Sequence, residues 1–129
     1  MILDTDTLIA LLNGEPDADK AIRSLEEKDE QVATTIISAY EIIRGAYVSS
    51  SPERNIAEVN ELLLNIEILD LTLKACEEAS KIYKDLRKKG RLIGEYDVLI
   101  AGIAQAHSMT IMTRDAHFKL VPTINTIRW

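Results

Sequence analysis

Cysteine is almost absent: Cys76 is the only one in 129 residues. No intrachain disulfide can form, and Cys76, inside a helical pattern, reads as a small core thiol rather than a nucleophile. No apolar run approaches the roughly 18 residues that span a bilayer. Met1-Ile2-Leu3 passes straight into Asp4 without a basic leader or cleavage site, so a soluble cytoplasmic protein with no membrane partner is expected. Internal repeats, low-complexity tracts and linkers are all missing, and the length fits a single domain over residues 1–129. His107 and His117 show no ligand-like spacing, which leaves zinc and serine-hydrolase chemistry without support. Positive charge is in deficit, with 15 Lys and Arg against 21 Asp and Glu and a formal net charge of -6. That balance ordinarily argues against a nucleic-acid partner. Carboxylates gathered around a cation would inflate the acidic count and reverse the local field, so net charge alone excludes nothing here.

What is present is a run of short apolar segments separated by helical patterns. Met1-Ile2-Leu3 reads as a buried strand, followed by a helix carrying Leu8, Ile9, Leu11 and Leu12 that ends near Asn13-Gly14. Ala18, Ala21, Ile22 and Leu25 recur at helical spacing, and Val32-Ala33-Thr34 is a second strand. Ser38 is expected to open a helix that reaches about Leu64 with a break at Ser49-Ser50-Ser51-Pro52, where Ser51 caps and Pro52 takes the first helical position. Ile66-Glu67-Ile68-Leu69 is a third strand. Thr72 then starts a long helix, with Leu73, Cys76, Ala79, Tyr83 and Leu86 as its expected buried stripe and Lys88-Lys89-Gly90 as its end. Val98 to Ala104 forms a helix apolar nearly all round, with Gly102 permitting close approach. Thr110-Ile111-Met112-Thr113 is a strand, and Ile124-Asn125-Thr126-Ile127 a last peripheral one. Strands separated by helices pair in parallel through right-handed crossovers, so the fold class is α/β.

Four acids far apart in sequence, Asp4, Glu41, Asp97 and Asp115, stand where an apolar run stops or a helix begins. Carboxylates on one rim repel one another unless a divalent cation such as Mg²⁺ or Mn²⁺ sits among them. Three of them, and the neighbouring Asp6, also have a purely structural explanation. Glu41 completes a capping box with Ser38, Asp6 fits a helix cap before Thr7, Asp97 fits a first helical turn, and Asp115 fits a turn with Ala116 and His117. Asp4 is the hardest to dismiss, since a buried carboxylate after an apolar strand needs a partner. In open parallel sheets sites form beyond the carboxyl ends of the strands, which is where Asp4 and Asp115 fall.

The segments Ile2-Leu3-Asp4-Thr5-Asp6-Thr7-Leu8-Ile9, Ser38-Ala39-Tyr40-Glu41 with Arg44-Gly45, Tyr96-Asp97-Val98-Leu99-Ile100-Ala101 and Thr113-Arg114-Asp115 resemble, in order and spacing, the PIN-domain nucleases. Length and single-domain organisation resemble the VapC toxins of toxin–antitoxin pairs within that family. The resemblance implies a three-layer α/β/α sandwich around a parallel sheet of four to five strands. It further implies a Mg²⁺- or Mn²⁺-dependent ribonuclease whose site is Asp4, Glu41, Asp97 and Asp115, supported by Thr113. A single-stranded RNA substrate cut to leave a 5′-phosphate and a small antitoxin partner follow from the same likeness. Asp6, where many members carry Asn, and Glu95, an extra acid, depart from the pattern.

Toward RNA, Arg114 is the expected phosphate contact because it lies between Thr113 and Asp115, and Arg44 is a second one or a contact for an antitoxin acid. The basic stretch Lys84, Arg87, Lys88, Lys89 and Arg91 complements a helix dipole as readily as it meets RNA. Tyr40, Tyr47, Tyr83 and Tyr96 either stack on unpaired bases or pack in the core or an interface. A homodimer is expected, since a small chain leaves apolar helical faces to cover. Two other classes compete: an inactive PIN-like binding module, and a receiver-type signalling domain with Asp4 and Asp6 at Mg²⁺ and Asp70 as phosphoacceptor.

Overall fold

In the computed structural model, which describes residues 1–129, the apolar segments become strands of only two or three residues. They are β1 (Ile2–Leu3), β2 (Ala33–Thr35), β3 (Glu67–Leu69), β4 (Ile111–Met112) and β5 (Thr126–Ile127). All neighbours pair in parallel, in the order β3-β2-β1-β4-β5. The helices are α1 (Thr5–Leu12), α2 (Pro16–Glu27), α3 (Ile36–Tyr47), α4 (Pro52–Leu64), α5 (Leu73–Lys88) and α6 (Glu95–His107), and a 3₁₀ turn follows at Ala116–Leu120.

Alternation along the strands divides the core into two layers. Ile2, Ala33 and Ile111 turn to one face and pack with Ala75, Ile82, Leu86, Ile100 and Ile103 from α5 and α6. Leu3 and Met112 turn to the other and meet Leu8, Leu25, Ile42 and Val59 from α1, α2, α3 and α4. The result is the expected α/β/α sandwich with five strands. Gly102 lets α6 lie hard against α5, because a Cβ there would sit 2.6 Å from the Ala75 carbonyl oxygen and 2.6 Å from the Ala79 Cβ. This approach fixes α6, whose first turn carries Asp97.

Several local expectations shift. α1 begins at Thr5 with Asp4 as its cap, so Asp6 lies inside the helix and does not cap it. α3 begins at Ile36 with Thr35 as its cap. The Thr35 hydroxyl accepts the Ser38 N–H at 3.1 Å, and the expected Ser38–Glu41 capping box does not form. Ser51 makes no side-chain cap bond, although Pro52 does take the first turn of α4. On α5 the buried stripe is Ala75, Ala79, Ile82 and Leu86; Leu73 is 85% exposed, Tyr83 lies at the surface and Cys76 is only half-buried. The phase slipped because Ala75 gives little hydrophobic contrast, while Leu73 and Tyr83 attract attention without being covered. The receiver alternative falls on topology: that fold orders its strands 2-1-3-4-5 with a single crossover helix between them, whereas here paired helices separate β1 from β2 and the order is 3-2-1-4-5.

Candidate active site

The strand order reverses at β1, which has β2 on one side and β4 on the other, and the carboxyl edge there is the crevice where open parallel sheets bind ligands. The register sets Leu3 beside Met112, so Asp4 and Thr113 leave adjacent strands together. Asp4 is 3% exposed, in extended backbone that ends β1 and caps α1. Its Oδ1 accepts the Thr7 N–H at 2.9 Å and the Thr7 hydroxyl at 2.6 Å, and its Oδ2 accepts the Thr113 hydroxyl. Burial pushes the Asp4 carboxyl above its ordinary value, against the opposing effect of the bonds from Thr113 and Thr7. A carboxylate offers about four acceptor positions. With three filled, the remaining one on Oδ2 is what Asp4 can offer a cation.

Behind Asp4 the bracing continues. The Trp129 indole Nε1 donates to the Thr7 oxygen at 2.8 Å, and the single hydroxyl proton of Thr7 faces two acceptors, Asp4 at 2.6 Å and the Met112 carbonyl at 3.1 Å. Trp129 in turn lies under the Arg114 guanidinium, 4.6 Å from the ring centroid. Arg114 donates from Nε to Asp6 at 2.7 Å and from Nη1 and Nη2 to the two Glu15 oxygens at 2.8 and 3.2 Å. The expectation that Arg114 faces a phosphate therefore meets a different arrangement, with all three of its nitrogens turned to carboxylates.

The other acids are more open. Asp97 is half-buried on the first turn of α6. Its carboxyl is pushed up to about 6, first by burial, then by Asp115 and Glu41, against an opposing effect of His117 and with a smaller contribution from Asp4; no hydrogen bond acts on it. Asp115 follows β4. Its N–H donates to the Thr113 hydroxyl at 2.8 Å, and its Oδ1 accepts the His117 N–H at 2.9 Å and faces His117 Nδ1 at 3.0 Å. Glu41 accepts the Thr5 hydroxyl at 2.8 Å on Oε1, leaving Oε2 free. Potential ligand atoms of Asp97, Asp115 and His117 all lie within 4.8 Å of one another.

Asp115, Glu41 and Asp4 all act on Asp97, so the structure brings the four expected acids near one another, with Asp97 and Asp115 in the tight group, Glu41 and Asp4 outside it, and Glu95 exposed. Thr5, Thr7, His117 and Trp129 were not legible as participants. His117 carried a weak signal, being two residues past Asp115 in a turn, whereas Trp129 reaches Thr7 across 122 residues with no local sign. The donor set fits a hard divalent cation: the free oxygens are carboxylate, and the repulsion that raises the Asp97 pKa is what a cation relieves.

Known proteins carry the same frame. The tRNA(fMet)-specific endonuclease VapC of Salmonella typhimurium is 30% identical over 129 residues, spanning 99% of this chain and 96% of that protein. Ribonuclease VapC2 of Haemophilus influenzae is 29% identical with the same coverage. The crystal structure of VapBC2 from Rickettsia felis bound to a fragment of promoter DNA superposes with a TM-score of 0.91 at 28% identity, over 99% of this chain and 97% of that one. DNA-bound VapBC from Salmonella typhimurium gives 0.92 at 29% identity, over 99% and 96%. No helix here is long and apolar enough to cross a membrane. The PIN domain family model matches residues 1–124, which is nearly the whole chain, and the chain therefore belongs to the PIN domain family.

Proposed function

We propose that this chain is a divalent-cation-dependent endoribonuclease that hydrolyses phosphodiester bonds of single-stranded RNA, and that it is the cytoplasmic toxin of a toxin–antitoxin pair. The observation that carries this reading is convergence: ligand atoms of Asp97, Asp115 and His117 lie within 4.8 Å of one another, and Glu41 and Asp4 are near enough to act on Asp97, which accepts no hydrogen bond. Like charges gathered this closely repel one another, and a divalent cation among them relieves that repulsion. The names of the relatives, ribonuclease and endonuclease, agree with it.

Asp4 through Oδ2, Glu41 through Oε2, Asp115 through Oδ2 and Asp97 through either oxygen are the groups that would hold Mg²⁺ or Mn²⁺. Bound there, such an ion supplies Lewis acidity toward a phosphate oxygen and lowers the pKa of water. The chain itself supplies orientation. Thr7 and Thr113 fix Asp4, Thr5 fixes Glu41, and His117 holds Oδ1 of Asp115 while Oδ2 keeps no hydrogen-bond partner. In the reaction a water oxygen bonds to phosphorus as the bond to the 3′ oxygen breaks, leaving a 5′-phosphate and a 3′-hydroxyl. The partners follow the relatives: a small antitoxin covering the acidic edge, as the VapBC assemblies suggest, and a second copy of the chain over exposed apolar side chains such as Leu73 and Leu64.

The test is cleavage of single-stranded RNA by the purified chain, with Mg²⁺ or Mn²⁺ and after chelation. Metal-dependent cuts ending in 5′-phosphate are expected. A chain that binds the ion and cuts no RNA would leave only the inactive binding module.

A further inference from the structure

Two arginines flank the carboxylates, and the fold treats them in opposite ways. Arg114 is neutralised by Asp6 and Glu15. Arg44 joins none of the ion pairs in the molecule. Its guanidinium lies over two aromatic rings, 5.2 Å from the centroid of Tyr40 and 5.6 Å from that of Tyr96, with Nη1 3.4 Å from the Tyr96 hydroxyl. The rings meet edge to face at 6.0 Å and 86°. Both remain open to solvent, Tyr40 at 50% and Tyr96 at 37% exposure.

Sequence position ties this cluster to the acidic centre. Tyr40 immediately precedes Glu41 on α3, and Tyr96 immediately precedes Asp97 on α6. Arg44 stands one helical turn beyond Tyr40, on the same face. What sets Arg44 apart is its seat on the faces of two exposed rings, carried by the same helices as Glu41 and Asp97. Packing does not explain it, because rings placed for the core would be covered.

We propose that Tyr40, Tyr96 and Arg44 form a stacking platform that grips one unpaired nucleobase of the RNA next to the scissile bond, with Arg44 also meeting the adjoining phosphate; this rests on the ribonuclease reading. Every base presents a π-face, so aromatic side chains grip bases without regard to sequence, and a planar guanidinium both stacks and pairs with phosphate oxygens. Paired strands keep their bases inside the helix, so the platform selects single-stranded or splayed RNA. The assignment keeps the phosphate contact expected of Arg44 and withdraws the one expected of Arg114. Arg44 is the substrate-facing one and Arg114 braces the fold.

The experiment measures kcat and KM on a fluorescein-labelled single-stranded RNA that the wild type cuts, together with copies of it carrying one abasic nucleotide at successive positions around the cut. Tyr40→Leu and Tyr96→Leu each raise KM about ten-fold, in the range of a lost base stack, while calorimetric metal affinity stays at the wild-type value. Tyr40→Phe and Tyr96→Phe raise KM less than the Leu variants do, since each keeps the ring face and loses only the hydroxyl beside Arg44. One abasic position raises the wild-type KM by a similar factor and has no further effect in the Leu variants, the signature of two changes removing one contact. Abasic and Leu effects that simply multiply at every position overturn the platform. So does a Leu variant with unchanged KM that alters sedimentation of the protein, which would make the cluster a contact between copies. A wild type that cuts no RNA removes the ribonuclease reading itself, a result distinct from either.

Discussion

Asp4 and Asp97 carry the same carboxyl group at the start of a helix, yet the fold treats them as opposites. Asp4 is buried and accepts three hydrogen bonds, from the backbone and hydroxyl of Thr7 and the hydroxyl of Thr113. Asp97 is half-exposed, takes no hydrogen bond and faces Asp115 and Glu41. One half of the centre is therefore completed by folding itself, while the other half is held in mutual repulsion until a cation enters. The difference teaches where rigidity and ligand dependence reside. The β1 edge supplies a fixed oxygen, and α6 supplies charge without a protein partner.

The two halves should consequently respond to substitution with opposite signs in stability. Asp97→Asn has the largest effect on activity: cleavage and metal affinity fall more than about 100-fold, beyond the range typical of an outer-shell change. In chelator its melting temperature rises, because an amide ends the repulsion with Asp115 and Glu41. Asp4→Ala also loses activity, and it destabilises the metal-free protein. The cap of α1 is lost and the buried donors of Thr7 and Thr113 are stranded, which costs about 1–3 kcal/mol. Calorimetric melts in chelator decide the matter, and shifts of the same sign in both variants would end the division into braced and open halves.

Acidity sharpens the comparison further. The Asp97 carboxyl titrates at about 6 in the folded chain against 3.8 as its ordinary value, through burial first and then Asp115 and Glu41. Between those values the folded state holds a proton that the unfolded state has lost, so this group favours folding at the acid end and loses that contribution as pH rises through about 6. A cation binds the deprotonated form, so metal affinity weakens below about pH 6. Melting temperature should thus fall from acid to neutral pH more in the wild type than in Asp97→Asn, in chelator, and saturating Mg²⁺ should shrink that difference. Parallel curves for the two proteins would place the repulsion elsewhere.

Much of this was legible in the sequence, and the failures share a cause. Apolar runs and the acids that follow them were visible because strand burial and a carboxyl-edge site both write themselves into neighbouring residues. Which residue caps a helix was not. Asp4 and Thr35 cap because their backbones are extended, at φ -77° and -106°, and their side chains reach the third residue on. The pattern Ser38-Ala39-Tyr40-Glu41 satisfies the same local rule and is overruled, since Ser38 lies inside α3 and Glu41 turns to Thr5 instead. The role of Arg114 was equally hidden, because its partners Asp6 and Glu15 lie about a hundred positions away in the chain.

The smallest expected effect probes how far the braced half extends. Trp129→Phe keeps a ring for Arg114 to stack on and for the core beside Met112 and Leu25, and deletes only the indole donor to Thr7. Once that donor is gone, the Thr7 hydroxyl loses one of the contacts that fix its orientation. It can turn its proton to the Met112 carbonyl, which lies 3.1 Å away, and Asp4 then loses one of its three bonds for part of the time. Stability should change by only about 1 kcal/mol, the worth of one hydrogen bond. Metal affinity should fall between three- and ten-fold, at the low end of what an orienting contact contributes. Trp129 is the only tryptophan in the chain, so in the wild type its fluorescence reports on the same bond. Saturating Mg²⁺, by fixing Asp4 and with it Thr7, should shift that emission, and the shift should be absent in Asp97→Asn at the same concentration. Emission indifferent to metal, with unchanged affinity in Trp129→Phe, would confine the brace to Thr7 and Thr113 and leave Trp129 as packing alone.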